Sequence, residues 1–402
     1  MLPAMSSPED EENDANLPRE IIMEILSRLS IHFLMEFNCV SKMWHDIIIH
    51  DPVFAALHHN RAIENHKNYT SLIFCPANKW SVIWPHASNS FPSNLPLLER
   101  ASNGEWYSTA TAINTFFDRY DGYVRMFKIV GSCNGLLCLY LCNQFACDRV
   151  YVCNPVTGEY ITLPGATTTR TTYLDGFLGI GFGYDLARKE YKVVRLVCQS
   201  RPPYTWEAEI YTLGTDSWRS IMDFPGQLCA SFPFSDVLVN GALHWKAEES
   251  LFCSEYFTPI VSLDMCDEQF RMVPGPSLSS PCISFDTQLM SWKGYLSIAE
   301  HTSEYYCTSG SYLWIMKEYS VKESWTKIYN IRWPTWLTTY HGQYWPFDDE
   351  SVGDLQVPQS HRFQVIAHMG TFISLKNLFG GTKMVIKKWN QMHQVFCNSS
   401  WV

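Results

Sequence analysis

Several familiar chemical signatures are missing from this chain of 402 residues. No two of its 14 cysteines stand in a C-x-x-C pair, which removes the common zinc-ribbon and dithiol redox spacings. Neither a G-x-S-x-G elbow nor an H-E-x-x-H helix occurs, so two common hydrolase signatures are absent. Charged residues are scarce at 17%, and the 30 basic side chains are outnumbered by 40 acidic ones, for a formal net charge of −10. A nucleic-acid binder concentrates Lys and Arg to neutralise phosphates, so scattered bases within an acidic excess argue against one. No apolar run approaches the roughly 18 residues that cross a bilayer. The first residues, with Glu9, Asp10, Glu11, Glu12 and Asp14, lack the apolar stretch of a signal peptide. The expected setting is cytosol or nucleus, with neither nucleic acid nor membrane as partner.

What is abundant is apolar and aromatic. Hydrophobic residues make up 46% of the chain and aromatics 15%, a composition suited to pleated, half-buried surfaces and to interfaces. Cys133, Cys138, Cys142, Cys147 and Cys153 fall in apolar, strand-like segments, where reduced cysteine behaves as a small hydrophobe. The 13 histidines are spread without a ligand motif, so no metal or cofactor is expected. His244, beside Trp245, reads as a strand residue with satisfied hydrogen bonds. The glycines Gly179, Gly181 and Gly183 lead into a strand and lack the helix N-terminus that a phosphate cradle requires, so they read as a turn.

Near the N-terminus the pattern is helical. Ile22, Ile25, Leu26 and Leu29 follow the spacing of one apolar helix face, behind a Pro18 tolerated in a first turn. Ser30 offers an N-cap to a second short helix with Phe33, Leu34 and Phe37. A third carries Val40, Met43, Trp44 and Ile47 until Asp51-Pro52 stops it. Three short helices cover too little surface to be stable alone. Their excess of large apolar side chains needs another surface, either the rest of this chain or a separate partner.

Leu17-Pro18, Ile25-Leu26-Ser27-Arg28-Leu29, Cys39-Val40-Ser41-Lys42-Met43-Trp44 and Asp51-Pro52-Val53-Phe54 together resemble the F-box motif over residues 16–56. The resemblance implies docking to a Skp-type adaptor and, through it, to a cullin–RING ubiquitin ligase. It implies that Leu17, Pro18, Ile22, Ile25, Leu26 and Leu29 contact the adaptor. Leu34, Phe37, Val40 and Trp44 would contact it too, or hold the helices together. Two departures stand out: Ser30 where the family usually has proline, and no basic residue in Met35-Glu36-Phe37-Asn38.

From residue 130 the chain repeats. One half of each unit is a glycine and an apolar strand, at Gly135, Gly241, Gly294 and Gly370, with a variant unit near Gly181 to Tyr184. The other half is a strand, a polar turn and an aromatic, closing at Tyr160, Trp218, Phe270 and Trp325, with a less regular last copy from Met384. A period near 50 with about four strands per unit is that of a kelch-like β-propeller blade. Five units are visible, and strand candidates at 71–74 and 80–84 could supply a sixth. A β-sandwich or an open solenoid of the same hairpins is the alternative.

Val130-Gly131-Ser132-Cys133-Asn134-Gly135, Asn154-Pro155-Val156-Thr157-Gly158, Gly181-Phe182-Gly183-Tyr184-Asp185, Glu190-Tyr191-Lys192-Val193-Val194 and Asn240-Gly241-Ala242-Leu243-His244-Trp245 resemble the F-box-associated domain of the large plant F-box families. The expected organisation is thus α+β and multidomain. It comprises a disordered acidic tail (1–15), a three-helix F-box (16–60) and an all-β, propeller-like recognition domain (70–402). The resemblance implies a non-catalytic subunit that holds a protein for ubiquitylation. The aromatic stretch with Trp333, Trp336, Tyr340, Tyr344 and Trp345 is the first candidate for substrate contact, since Trp and Tyr are enriched in binding hot spots. Loops 167–172 and 199–206 are secondary candidates. A stand-alone propeller that binds a small molecule or glycan is the alternative function.

Overall fold

The computed structural model describes residues 17–64, 71–76, 94–100, 106–114, 126–142, 149–165, 178–198, 206–221, 234–235, 237–247, 260–277, 287–301, 311–328 and 363–388. Its helical part begins with α1 (Arg19–Leu26) and α2 (Ile31–Phe37). Next comes α3 (Lys42–His45), which runs on as a wider turn through Asp46–His50. A fourth and longest helix, α4 (Pro52–Glu64), corrects the three-helix expectation. Asp51-Pro52 does end the third helix, but it also starts this one. The Asp51 carboxylate accepts hydrogen bonds from Val53 N at 2.8 Å and Phe54 N at 3.1 Å, and proline suits the first helical position. Ser30 occupies the position before α2 as expected, yet its hydroxyl makes no cap hydrogen bond. No described helix is long and apolar enough to cross a membrane.

The remainder is five antiparallel sheets in chain order. The first contains β1 (Ser71–Pro76), β2 (Asn94–Arg100) and β3 (Trp106–Asn114). The second is β4 (Met126–Cys133), β5 (Leu136–Cys142), β6 (Arg149–Asn154) and β7 (Glu159–Thr162). The third is β8 (Leu178–Asp185), β9 (Glu190–Cys198), β10 (Trp206–Thr212) and β11 (Arg219–Ser220), with β12 (Phe234–Ser235) added parallel to β8. The fourth is β13 (Leu238–Val239), β14 (Ala242–Lys246), β15 (Ile260–Asp264) and β16 (Phe270–Val273). The fifth is β17 (Thr287–Trp292), β18 (Tyr295–His301), β19 (Ser311–Met316) and β20 (Trp325–Ile328).

The expected last repeat is not a blade of its own. Strand β21 (Phe363–His368) pairs with β1 from Ser71↔His368 to Pro76↔Phe363, so it completes the first sheet. The strand that pairs with the 71–74 candidate thus lies just ahead of the expected fifth unit, and no part of that unit joins the first sheet. Residues 369–374 form no strand, and Leu375–Phe379 is a short helix, α5. Leu375 and Phe379, four residues apart, share one face of that helix, a spacing that the repeat pattern obscured. Of the segment from Met384, only β22 (Lys387–Lys388) is strand, on the outer edge of β7. The strand candidate at 80–84 lies outside the described residues.

Three inner hairpins turn through two left-handed residues: Asn134-Gly135, Asn240-Gly241 and Lys293-Gly294. That conformation matches the twist of the flanking strands and favours glycine second. Two of the four closing aromatics join neighbouring sheets through indole hydrogen bonds. Trp218 Nε1 donates to Pro164 O at 2.9 Å and Trp325 Nε1 to Pro274 O at 2.8 Å, each proline following the outer strand of the preceding sheet. Gly181 and Gly183 belong to β8 and not to a turn. A Cβ on Gly181 would lie 2.6 Å from the Trp245 ring, so the glycine lets the next sheet approach. Between the second and third sheets the core is built from Val130, Leu136, Val152, Ile180, Phe182 and Val193, closed over by Leu375 and Phe379. Cys133, Cys138 and Cys153 are buried free thiols in this region, and burial pushes Cys133 and Cys153 up to about 12.

Buried polar groups at the seams make stability depend on pH. His244 bonds through both ring nitrogens, to Val237 O at 3.1 Å and Tyr319 OH at 2.8 Å, while His368 Nδ1 meets Ser132 Oγ at 3.0 Å. Burial lowers His59, His244 and His368 to about 4 from 6.5. The unfolded chain therefore binds protons that the native one refuses, and stability falls as pH drops from about 6.5 to about 4. Asp185 follows. Burial raises its pKa, but the bonds from Lys192 and Arg188 outweigh that and hold it at about 2, so its contribution is lost between about pH 4 and about pH 2. Urea unfolding midpoints measured down this range should decline in both windows. An Asp185→Asn chain should keep the upper step and show a smaller lower one, the remainder coming from Glu24, Asp51, Asp267 and Glu268, whose pKa values are also lowered by their hydrogen-bond partners.

Candidate functional site

The exposed apolar surface is concentrated on the helices. Seven of the thirteen exposed large hydrophobic residues among the described ones lie within residues 17–64. Single exposed leucines are ordinary on a protein surface, but this density within one small module is not. Helix α1 is apolar on two sides. Ile22 and Leu26 point into the module, and Leu17, Ile21 and Ile25, four residues apart, remain 54%, 45% and 48% exposed. On α2, Leu34 is fully buried while Phe33 stays exposed. Phe33 stacks on Phe37 at 6.1 Å, and Phe37 meets the Trp44 ring edge-on at 6.1 Å, forming a partly open aromatic row. Val40, at 61% exposure, and Pro18 are open to solvent.

The expected contact set thus divides. Leu17, Pro18, Ile25 and Val40 are exposed, and Leu29, Phe37 and Trp44 are half-buried. Ile22, Leu26 and Leu34 have no surface to present, because they fill the space among the four helices with Ile47, Ile48 and Phe54. Their part is to hold the module together. Ile21, Phe33 and Val53 are exposed apolar residues that the motif comparison passed over. The fourfold spacing of Leu17, Ile21 and Ile25 was the available signal.

Polar bonds fix the module behind this face. Arg61 on α4 donates to Glu24 O at 3.0 Å, to the Glu24 carboxylate at 2.5 Å and to Ser27 Oγ, joining the last helix to the end of the first. Hydrogen bonds from Arg61 and Arg28 lower the Glu24 pKa. Arg19 pairs with Asp51 at 2.8 Å. The module's opposite side rests on the β domain. Phe372 enters its core, with ring centroids 6.4 Å from Phe54 and 5.7 Å from His58.

Both ends of the β domain can be followed from strand pairing. The short turns at 134–135, 155–158, 186–189, 240–241 and 265–269 lie at the end where the helices sit. Ile328 and Phe363, which bound the segment with Trp333, Trp336, Tyr340, Tyr344 and Trp345, lie at the other. Those five aromatics are outside the described residues, as are loops 167–172 and 199–205.

The chain is a small helical module with an open apolar face, seated on a propeller-like stack of sheets. Comparison with known proteins gives the family. Residues 15–55 match the F-box domain, and residues 93–343 match the F-box associated beta propeller domain. An F-box/kelch-repeat protein of Arabidopsis thaliana is 30% identical over 322 residues, which cover 79% of each chain. A second Arabidopsis thaliana F-box protein is 28% identical, covering 79% of this chain and 72% of that one. The F-box protein CPR1 of the same plant is 25% identical, covering 80% and 74%. This chain belongs to the F-box proteins that carry an F-box-associated β-propeller domain. Plant F-box proteins generally act as non-catalytic substrate receptors of Skp–cullin–F-box ligases.

Proposed function

We propose that this chain is the substrate-recognition subunit of a Skp–cullin–F-box ubiquitin ligase, working in cytosol or nucleus. Its exposed helix face docks to the Skp-type adaptor, and the end of the β domain away from the helices holds the protein to be ubiquitylated. The chain supplies proximity, raising the effective concentration of a substrate lysine at the transferring enzyme. The observation that carries the reading is the open apolar face of Leu17, Ile21, Ile25, Phe33 and Val40 on a module with the F-box pattern. Trp333, Trp336, Tyr340, Tyr344 and Trp345 are proposed to contact the substrate, since Trp and Tyr are enriched in binding hot spots.

Co-purification of the full chain with a Skp-type adaptor tests the docking half. Ile25→Glu and Val40→Glu each place a charge at an exposed position, so capture should fall at least about tenfold with the melting temperature unchanged. Wild-type chain that folds and captures no adaptor would overturn the reading. It would favour a propeller that binds a small molecule or glycan outside ubiquitylation.

A further inference from the structure

We infer that residues 369–375 form a brace that fixes the orientation of the docking helices on the β domain, with Asn154 and Glu159 as its positioning residues. The inference rests on the adaptor-docking reading for its purpose, though not for its geometry. The segment has the helices on one side and the second sheet on the other. Gly370 touches both. A Cβ there would lie 2.4 Å from Ile31 Cδ1 and 3.2 Å from Val156 Cγ2, so a larger residue would have to push the Ile31 side chain aside. Two residues on, Phe372 fills the helical core beside Phe54 and His58.

Because residues 369–374 form no strand, their backbone groups need other partners. Asn154, fully buried at the end of β6, supplies two. Its Nδ2 donates to Thr371 O at 2.9 Å and to Ile373 O at 2.8 Å, while its Oδ1 accepts from Val156 N at 2.8 Å. The buried Glu159 carboxylate accepts from Ser374 Oγ at 2.8 Å and from Leu375 N at 2.6 Å. Thr371 also sits on the Asn134-Gly135 turn, where a Cβ on Gly135 would come within 2.2 Å of its methyl. One short segment is thus pinned at two turns of one sheet, Asn134-Gly135 and the β6–β7 turn between Asn154 and Glu159, and presses an aromatic ring into the helices.

Domains joined only by a linker move relative to each other by default. Here the contact is apolar, shaped around a glycine and backed by buried hydrogen bonds, so the two heads hold one relative orientation. That matters for a receptor whose adaptor and substrate must meet a transferring enzyme at a set distance. Asn154 and Glu159 are buried and act through the brace.

Single-molecule energy transfer on the full chain tests this, with dyes carried by unnatural amino acids at exposed Asn60 on α4 and exposed Glu323 beside β20. Wild type should give a single narrow transfer peak. Asn154→Ala combined with Glu159→Gln should replace it with a broad distribution, and Gly370→Leu should shift it. Ile31→Ala loosens the contact from the helical side with both polar pins intact, and covers the case where the double variant fails to fold. A role in stability alone would lower the melting temperature but leave the peak of folded molecules in place. A peak that stays narrow and unmoved in all these chains overturns the brace. Adaptor capture, read separately, should persist in every variant. Its absence from wild type would sink the docking reading while leaving the transfer result to stand.

Discussion

Lys192→Ala should destabilise the β domain by about 3–5 kcal/mol, the range for breaking a buried ion pair by removing one partner. Lys192 is 1% exposed. Its ammonium bonds Asp185 Oδ2 at 2.8 Å, Glu268 Oε1 at 3.0 Å and the carbonyl of Met265, so one side chain of the third sheet grips two residues of the fourth. With the amine gone, Asp185 remains buried, with only the half-exposed Arg188 as counter-ion. Total stability of a domain is only about 5–15 kcal/mol, so this single change removes a large share. The pair as a whole is worth far less than its breakage suggests. Asp185→Asn added to Lys192→Met should recover much of the loss, because asparagine keeps the Oδ1 acceptor used by Ala187 N and Arg188 N at 3.0 Å. Urea unfolding of wild type, single and double variants reads this directly. A single-variant loss below about 1 kcal/mol would show that the ammonium is not the seam's anchor.

Deleting residues 363–402 should abolish the folded state altogether. The deletion removes β21, leaving β1 as an unpaired edge along six residues, and it takes away the brace and α5. Leu375 and Phe379 then no longer cover the second and third sheets, and Asn154 and Glu159 lose the groups that satisfy them while buried. Exposed edges and unsatisfied buried polar groups favour aggregation over folding. The result matters because the matched propeller region ends at 343, ahead of β21. If the chain cut at 362 still melted cooperatively, β21 would be dispensable and the first sheet self-sufficient.

Local pattern carried a large part of this fold. Helix spacing located α1 to α3, and the Asn-Gly pairs located the inner hairpins because left-handed turns leave little choice of residue. The aromatic period predicted inter-sheet contacts, and Trp218 and Trp325 make them through their indole N–H groups. Long-range pairing was not legible. Nothing near residue 363 says that its partner is β1, and the glycine–strand resemblance at Gly370 pointed to a blade where the chain instead crosses to the helices. At the docking site, an apolar helix face and an apolar helix core look alike in sequence. Ile25 and Leu26 are neighbours with opposite fates, one half-exposed and one fully buried, and only the packing of α4 and Phe372 decides which is which. A Leu26→Asp chain would therefore report on folding and not on docking.

The pairing of β21 with β1 also sets an order of events during synthesis. Translation proceeds at about 5–20 residues per second, so the docking helices leave the ribosome long before the strand that completes the first sheet. Phe372, which belongs to the core of those helices, arrives later still. Until then the nascent chain carries an open sheet edge and a helical module short of one aromatic ring. The first sheet and the helical core are finished in nearly the same moment, by one stretch of chain. A messenger truncated anywhere upstream of that stretch should yield a product whose first sheet is open and whose helical core is incomplete, one that melts without a cooperative transition.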